Sequence, residues 1–191
     1  VLVLYGGGSA LRSGLLGRVQ LSLARAGVAF STKGGVRPNP LMGFAEDTVQ
    51  EYQGKGIGLV LAVGGGSVMD TAKAVAVGLA SSVEEMRAVF RGKSTLNAAL
   101  GVGAVVTIAA SGSETSPTAV LSDGDTHEKL ICTSPLLAPR FAILNPELTC
   151  TTPPLQTACG AADILMHTLE RYCADLGGNA LTDALAEGLM R

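Results

Sequence analysis

Two side chains with metal-binding chemistry stand four residues apart in the stretch Gly160-Ala-Ala-Asp163-Ile-Leu-Met-His167-Thr-Leu-Glu170. On a helix this spacing sends a carboxylate and an imidazole off the same face, their β-carbons about 6 Å apart, close enough for one cation to bridge them. Such a pair is half of a metal site. It is also a common helix-surface contact, and the spacing alone leaves both readings open. The surrounding Ala158, Cys159, Ala161, Ala162, Ile164, Leu165, Met166, Leu169 and Tyr172 cover most of the circumference, which predicts a buried helix. A buried Asp or His needs a partner or a metal, because an unpaired charge in an apolar setting is too costly to keep.

The next chemical signal is Gly64-Gly-Gly-Ser67, between a strand-like run over Gly58 to Val63 and a helical pattern from Val68 to about Leu79. Glycines let backbone N–H groups approach a phosphate without Cβ obstruction, and a helix N-terminus adds favourable partial charge. Ser67 and Asp70 have the S-x-x-D spacing of a capping box. A plain tight turn from strand to helix has the same look. Gly64 and Gly66 fit G-x-G, but Met69 stands where the usual dinucleotide fingerprint has its third glycine. Further on, Ile108-Ala-Ala-Ser111-Gly-Ser-Glu-Thr-Ser-Pro117 gathers small hydroxyl residues that suit ribose, phosphate or carboxamide binding, or simply a polar surface turn.

The elements that must position these groups alternate through the first part of the chain. Strands at Val1 to Tyr5, Val28 to Ser31, Gly58 to Val63, Ala104 to Thr107 and Phe141 to Leu144 are separated by helices at Ser13 to Arg25, Met42 to Tyr52 and Val68 to Leu79. That alternation predicts βαβ units and a mainly parallel, Rossmann-like sheet. Lys33 to Pro40 reads as a loop, and Thr118 to Leu121 with Lys129 to Cys132 as a hairpin joined through Asp123-Gly-Asp. Pro153-Pro154 cannot continue a strand interior. The boundary therefore falls at Asn145-Pro146, with an α/β domain over 1–146 and the beginning of a helical domain over 147–191.

Composition narrows the classes. The chain has 191 residues, 47% of them hydrophobic, which suffices for a core. A net charge of -2 without a basic run or aromatic stripe excludes an electrostatic nucleic-acid binder. The longest apolar stretch, Ala98 to Ala110, is broken by Gly101 and Gly103 and falls short of the ~20 residues of a membrane-spanning helix. Cys132, Cys150, Cys159 and Cys173 form no CxxC pair, which suits reduced thiols in a cytoplasmic protein. The chain opens in a strand without Met and stops at Arg191 within a helical pattern from about Asn179, so it reads as a piece of a longer protein.

Taken together, these residues resemble the iron-containing (group III) alcohol dehydrogenases, near the butanol dehydrogenase and NADP-dependent aldehyde reductase branch. The resemblance covers essentially the whole chain. It rests on Val3-Leu-Tyr-Gly-Gly-Gly-Ser9, Gly34-Gly-Val-Arg-Pro-Asn-Pro40, Ala62-Val-Gly-Gly-Gly-Ser-Val-Met-Asp-Thr-Ala-Lys73, Gly112-Ser-Glu114, and Pro153-Pro with Gly160, Asp163, His167 and Glu170. It implies a nucleotide-binding α/β domain of the dehydroquinate synthase-like kind, followed by an all-helical domain, with the active site in the cleft between. By this resemblance Asp163 and His167 are the first two metal ligands, and Gly65, Gly66, Ser67 and Asp70 lie along the cofactor pyrophosphate and nearby ribose. Thr107, Ser116 and Lys129 match nucleotide-contacting positions, and the loop carrying Gly35, Arg37 and Asn39 matches the place where the adenosine ribose is read. Arg37, with Lys33 close by, suits a 2′-phosphate and so NADP over NAD, or is a solvated loop charge.

The implied enzyme interconverts a primary alcohol and an aldehyde by hydride transfer with NAD or NADP, uses Fe²⁺ or Zn²⁺, and forms a homo-oligomer, a dimer. No acid/base side chain is evident in these residues. A zinc-dependent glycerol dehydrogenase, a dehydroquinate synthase-like enzyme and an inactive nucleotide-binding fragment are the alternatives. The chain departs from the family in ending before the further histidine ligands that members supply. Its other histidine, His127, falls in the hairpin turn and reads as a surface residue. Asn145 stands where an acid is usual and Ser111 where threonine is frequent.

Overall fold

The computed structural model describes residues 1–174 and 179–191. In chain order the elements are β1 (Leu2–Gly6), α1 (Ser9–Arg12), α2 (Leu15–Arg25), β2 (Ser31–Val36), α3 (Met42–Tyr52), β3 (Leu59–Gly64), α4 (Gly66–Ala80), α5 (Val83–Phe90), β4 (Gly101–Val106), β5 (Thr118–Ser122), β6 (Lys129–Thr133), β7 (Phe141–Ile143), α6 (Pro154–Tyr172) and α7 (Ala180–Met190). Five strands form one parallel sheet in the order β2-β1-β3-β4-β7, and β5 pairs antiparallel with β6 as a separate hairpin.

The period of two along each strand divides its side chains between two cores. Leu2, Leu4, Val60, Ala62, Val102, Ala104 and Val106 face the cluster built with α3, α4, α5 and the hairpin. Val3, Leu61, Val63 and Val105 face the other, with Ala10, Leu15 and Leu16. Both faces are covered, which is why these strands read as unbroken apolar runs rather than alternating ones. Fully buried Leu2, Leu4, Val60 and Val63 each contribute about 1.5–3 kcal/mol through burial.

The sheet order fixes where a ligand can bind. From β1 the chain moves outward to β2, then returns to place β3 on the other side of β1. Loops leaving the C-terminal ends of β1 and β3 therefore diverge, opening a crevice at the switch point. Both glycine runs, Gly6-Gly-Gly8 and Gly64-Gly-Gly66, sit on that rim.

Besides α1 and α5, which the sequence reading does not include, three elements differ from it. The second strand begins at Ser31 and runs through Lys33–Val36, residues expected to form a loop. Val28 is consumed instead in closing α2: Gly27 adopts φ 66 and the amides of Gly27 and Val28 donate to the carbonyls of Ala24 and Leu23. The helix α4 starts at Gly66 with Gly65 as its cap, so Ser67 lies inside the first turn and caps nothing. Its expected capping-box partner, Asp70, accepts from Ser113 Oγ and the Val120 amide. Finally, α6 is not a buried helix. Gly160 is its single buried residue, and Ile164, Leu165, Met166 and Leu169 are all exposed, because α7 covers only part of its surface among the described residues.

Candidate functional site

A cavity of about 490 Å³ opens at the switch point. Its floor is the turn Gly64–Val68, where Gly66 and Ser67 are the first residues of α4 and have no carbonyl within the helix to receive their amides. Free N–H groups at a positive helix end suit an anion. The loop after β4 lies directly over the turn: the Thr107 amide donates to the Gly64 carbonyl at 3.1 Å. The approach is close: a Cβ on Gly65 would come 2.6 Å from Ile108 Cγ2 and one on Gly66 2.6 Å from Ser111 Oγ, so those side chains would have to shift.

The opposite wall is the loop after β2 joined to the hairpin. Ser122 N donates to the Pro40 carbonyl, and Lys129 Nζ donates both to Ser122 Oγ (2.9 Å) and to Asn39 Oδ1 (3.2 Å). Residues 90 positions apart in sequence thus meet at one edge. Arg37 lines the same cavity with an exposed side chain. Of the residues proposed for nucleotide contact, Arg37, Asn39, Gly65, Gly66, Ser67, Asp70, Thr107 and Lys129 surround this one cavity.

Gly35 and Ser116 lie outside it. Gly35 lines a separate cavity of about 500 Å³ bounded by α3, α5 and the hairpin turn, where Arg87 is paired with Glu46 and Arg91 with Asp123. The Ser116 hydroxyl accepts from the Thr118 amide and its carbonyl turns inward. Lys33 is held by Glu51 on α3, a hydrogen bond that raises the Lys33 pKa, and it does not line the cavity. His127 is exposed in the hairpin turn with φ 59.

Sequence reasoning passed over Lys73. It is fully buried in α4, and its Nζ donates to Ser113 O, Ser113 Oγ and Ser116 O at 2.9 Å each and to Thr118 O at 2.7 Å. Burial pushes its pKa down to about 8 against the opposing pull of Asp70 and Glu114. Burial likewise raises Asp70, which Ser113 and Val120 partly offset by hydrogen bonding to the carboxylate. One signal was visible: a single charge in the apolar run Thr71-Ala-Lys73-Ala-Val-Ala-Val77.

The helix α6 meets this site along one stripe. Gln156, Gly160, Asp163 and His167 fall at i, i+4, i+7 and i+11, within one helix face. Gln156 lines the cavity, and Gly160 packs so closely on the Ala109 carbonyl that a Cβ there would stand 2.7 Å from its oxygen. Asp163 and His167 continue the stripe past that contact. Asp163 Oδ1 and His167 Nε2 are 3.6 Å apart on partly exposed side chains, and a cation about 2.1 Å from each fits between them. Glu170 Oε2 lies 3.9 Å from the other ring nitrogen. Among the described residues no group of three or more His, Cys, Asp or Glu forms a complete metal shell. The donor pair suits a borderline divalent cation but is half of what such an ion needs.

Comparison with known proteins places these features in a family. The sequence profile for iron-containing alcohol dehydrogenase matches residues 1–146. The chain is 39% identical over 191 residues to NADH-dependent butanol dehydrogenase B of Clostridium acetobutylicum, and 34% identical over 192 residues to the NADPH-dependent aldehyde reductase YqhD of Escherichia coli. All of the chain is covered in both matches, against 49% of each relative, so it spans about half the length of the proteins it matches. The crystal structure of an NADH-dependent butanol dehydrogenase A from Thermotoga maritima superposes with a TM-score of 0.93 at 37% identity, over 99% of this chain and 47% of that one. No helix among the described residues is long and apolar enough to cross a membrane. With the profile matched over most of its length and the parallel sheet superposing on solved members, this chain belongs to the iron-containing alcohol dehydrogenase family.

Proposed function

We propose that the chain supplies the nucleotide half and the first two metal ligands of an enzyme that interconverts a primary alcohol and an aldehyde with NAD(P)(H). The observation that carries this reading is the shared cavity. The glycine turn, the hydroxyl-rich loop and the Lys129 edge converge on it, and the Gln156–His167 stripe leads from it to a carboxylate–imidazole pair. Relatives named for butanol and aldehyde chemistry, and for NADH and NADPH, support the same class.

In this reading the amides of Gly66 and Ser67 receive the cofactor diphosphate, while Thr107 and Ser111 fix its position from above. Asn39 and Lys129 bound the adenosine end. Asp163 and His167 would hold Fe²⁺ or Zn²⁺, which would supply Lewis-acid polarisation of the substrate oxygen. Hydride chemistry would be supplied by the bound dinucleotide, which these residues would orient. We place the domain boundary near residue 146, where the family profile ends, and the protein in a reducing compartment such as the cytoplasm, its cysteines being free.

The test uses protein stripped with a chelator, reloaded with Fe²⁺ or Zn²⁺, and assayed with a short aldehyde and NADH or NADPH. Metal-dependent oxidation of the dinucleotide is expected, and its absence from a protein that binds both metal and dinucleotide would refute the reading. Because no third ligand stands beside this pair among the described residues, the second reading is dinucleotide binding without turnover, the reading that stands if metal and dinucleotide bind and no oxidation follows. Because the chain has no Trp, nicotinamide fluorescence reports binding without tryptophan background.

Arg37 sets cofactor choice in this proposal. Arg37→Ala is expected to weaken NADPH binding about tenfold, the magnitude of one charge-assisted hydrogen bond, and to leave NADH binding unchanged. Equal loss for both dinucleotides would remove Arg37 from 2′-phosphate recognition.

A further inference from the structure

Lys73 is a fully buried ammonium beneath the nucleotide cavity, with no place on its lining. Its four acceptors all come from one short segment, Ser113 to Thr118, the end of the hydroxyl-rich loop and the first residue of β5. Ser113 Oγ accepts from Lys73 and donates to Asp70 Oδ1 at 2.7 Å. Asp70 Oδ2 then accepts from the Val120 amide at 3.2 Å. A chain of hydrogen bonds thus runs from α4 through the loop to β5 and back to α4, and Asp70 and Val120 both line the cavity.

We propose that Lys73 is a positioning residue for the nucleotide site: its ammonium gathers the Ser113–Thr118 carbonyls and, through the Ser113 hydroxyl, sets the Asp70 carboxylate that fixes β5 against the glycine turn. This rests on the nucleotide reading of the cavity and adds a residue that touches no ligand. Hydrocarbon would fill the same volume, but it would leave the Ser113, Ser116 and Thr118 carbonyls without this donor. The ammonium supplies direction: three N–H donors that must each find an oxygen. The β5–β6 hairpin carries Lys129, whose reach to Asn39 closes the far edge of the cavity. A hairpin released from Lys73 would lose that register.

The experiment measures NADH and NADPH dissociation constants by nicotinamide fluorescence for Lys73→Met and Ser113→Ala, alongside circular dichroism and hydrogen exchange at the Thr118 and Val120 amides. Lys73→Met is expected to weaken both dinucleotides about tenfold and Ser113→Ala about threefold, with faster exchange at both amides. The wild-type affinity is expected to fall as pH rises through about 8, where the ammonium loses its proton. Asp70 on its own helix and Glu114 on the loop are the charges that act on it. Both remain in Lys73→Met, which is expected to lack the inflection. A folded Lys73→Met with wild-type affinity, pH profile and exchange overturns the proposal. Should Lys73→Met fail to fold, unchanged affinity and exchange in Ser113→Ala overturn it instead. If the wild type binds neither dinucleotide, the nucleotide reading falls, and the exchange rates alone decide the positioning of β5.

Discussion

Asp163→Ala and His167→Ala, each introduced singly into the metal-loaded enzyme, are expected to lower alcohol–aldehyde turnover by about a thousandfold or more. Loss of a Lewis acid removes several kcal/mol of transition-state stabilisation, and each 1.36 kcal/mol is a factor of ten. The fold should not notice. Both side chains are partly exposed on α6, and neither supports a buried contact, so stability is expected to change by less than about 0.5 kcal/mol. Dinucleotide affinity should stay within about twofold of wild type, since the glycine turn and the Lys129 edge are untouched. Metal content by elemental analysis, thermal unfolding and dinucleotide binding on the same preparations separate these effects. Variants that keep both metal and rate would show that this pair is only the surface contact its spacing also allows.

A second large effect is expected at Gly160, which does not line the nucleotide cavity and has no side chain to ligate a metal. In Gly160→Val the new Cβ would meet the Ala109 carbonyl oxygen at 2.7 Å, and a backbone oxygen cannot rotate away as a flexible side chain can. The helix must therefore lift from the loop that follows β4. That displacement carries Asp163, less than one turn further along, away from the nucleotide cavity. Misplacement of about 1 Å between reacting groups costs about a hundredfold in rate. Turnover is expected to fall by roughly that factor, while nucleotide binding and metal content change little. A rate close to wild type would show that α6 need not sit on Ala109 for chemistry. Gly160→Ala tests the same contact with the smallest possible addition.

The sheet and its crevice were legible because the local signals agreed with one another. Met42–Tyr52 forms over the span expected from its pattern, and the strands β3 and β4 begin and end within a few residues of their expected limits. Where local chemistry had two outlets, the sequence pointed to the wrong one. Ser67 and Asp70 match a capping box, yet Asp70 finds donors at Ser113 and Val120 that lie 43 and 50 residues downstream. Val28 looks like a strand residue and ends up closing α2. A true S-x-x-E cap went unread at Ser82, whose hydroxyl accepts from the Glu85 amide to start α5.

At the candidate site the sequence carried spacing but not burial. Spacing put Asp163 and His167 on one face, and the structure keeps them there 3.6 Å apart. It also suggested burial, because apolar residues surround the pair, whereas the described chain leaves Ile164, Met166 and Leu169 exposed. Apolar composition marks a surface that something can cover and does not say what covers it. The Lys129–Asn39 edge and the Lys73 network join segments far apart in the chain, and periodicity carries no record of such pairings.

An all-parallel sheet has unequal ends. The residues proposed here for cofactor binding are gathered where the strands finish, and none of them stands on the rim where the strands begin. The turn Gly54-Lys55-Gly56 is exposed on that far side, just before β3. An exposed turn of small and polar residues is where lengthening or a fused sequence is best tolerated. A tag or fusion placed at this turn is therefore expected to leave the crevice at the opposite end of the strands unobstructed.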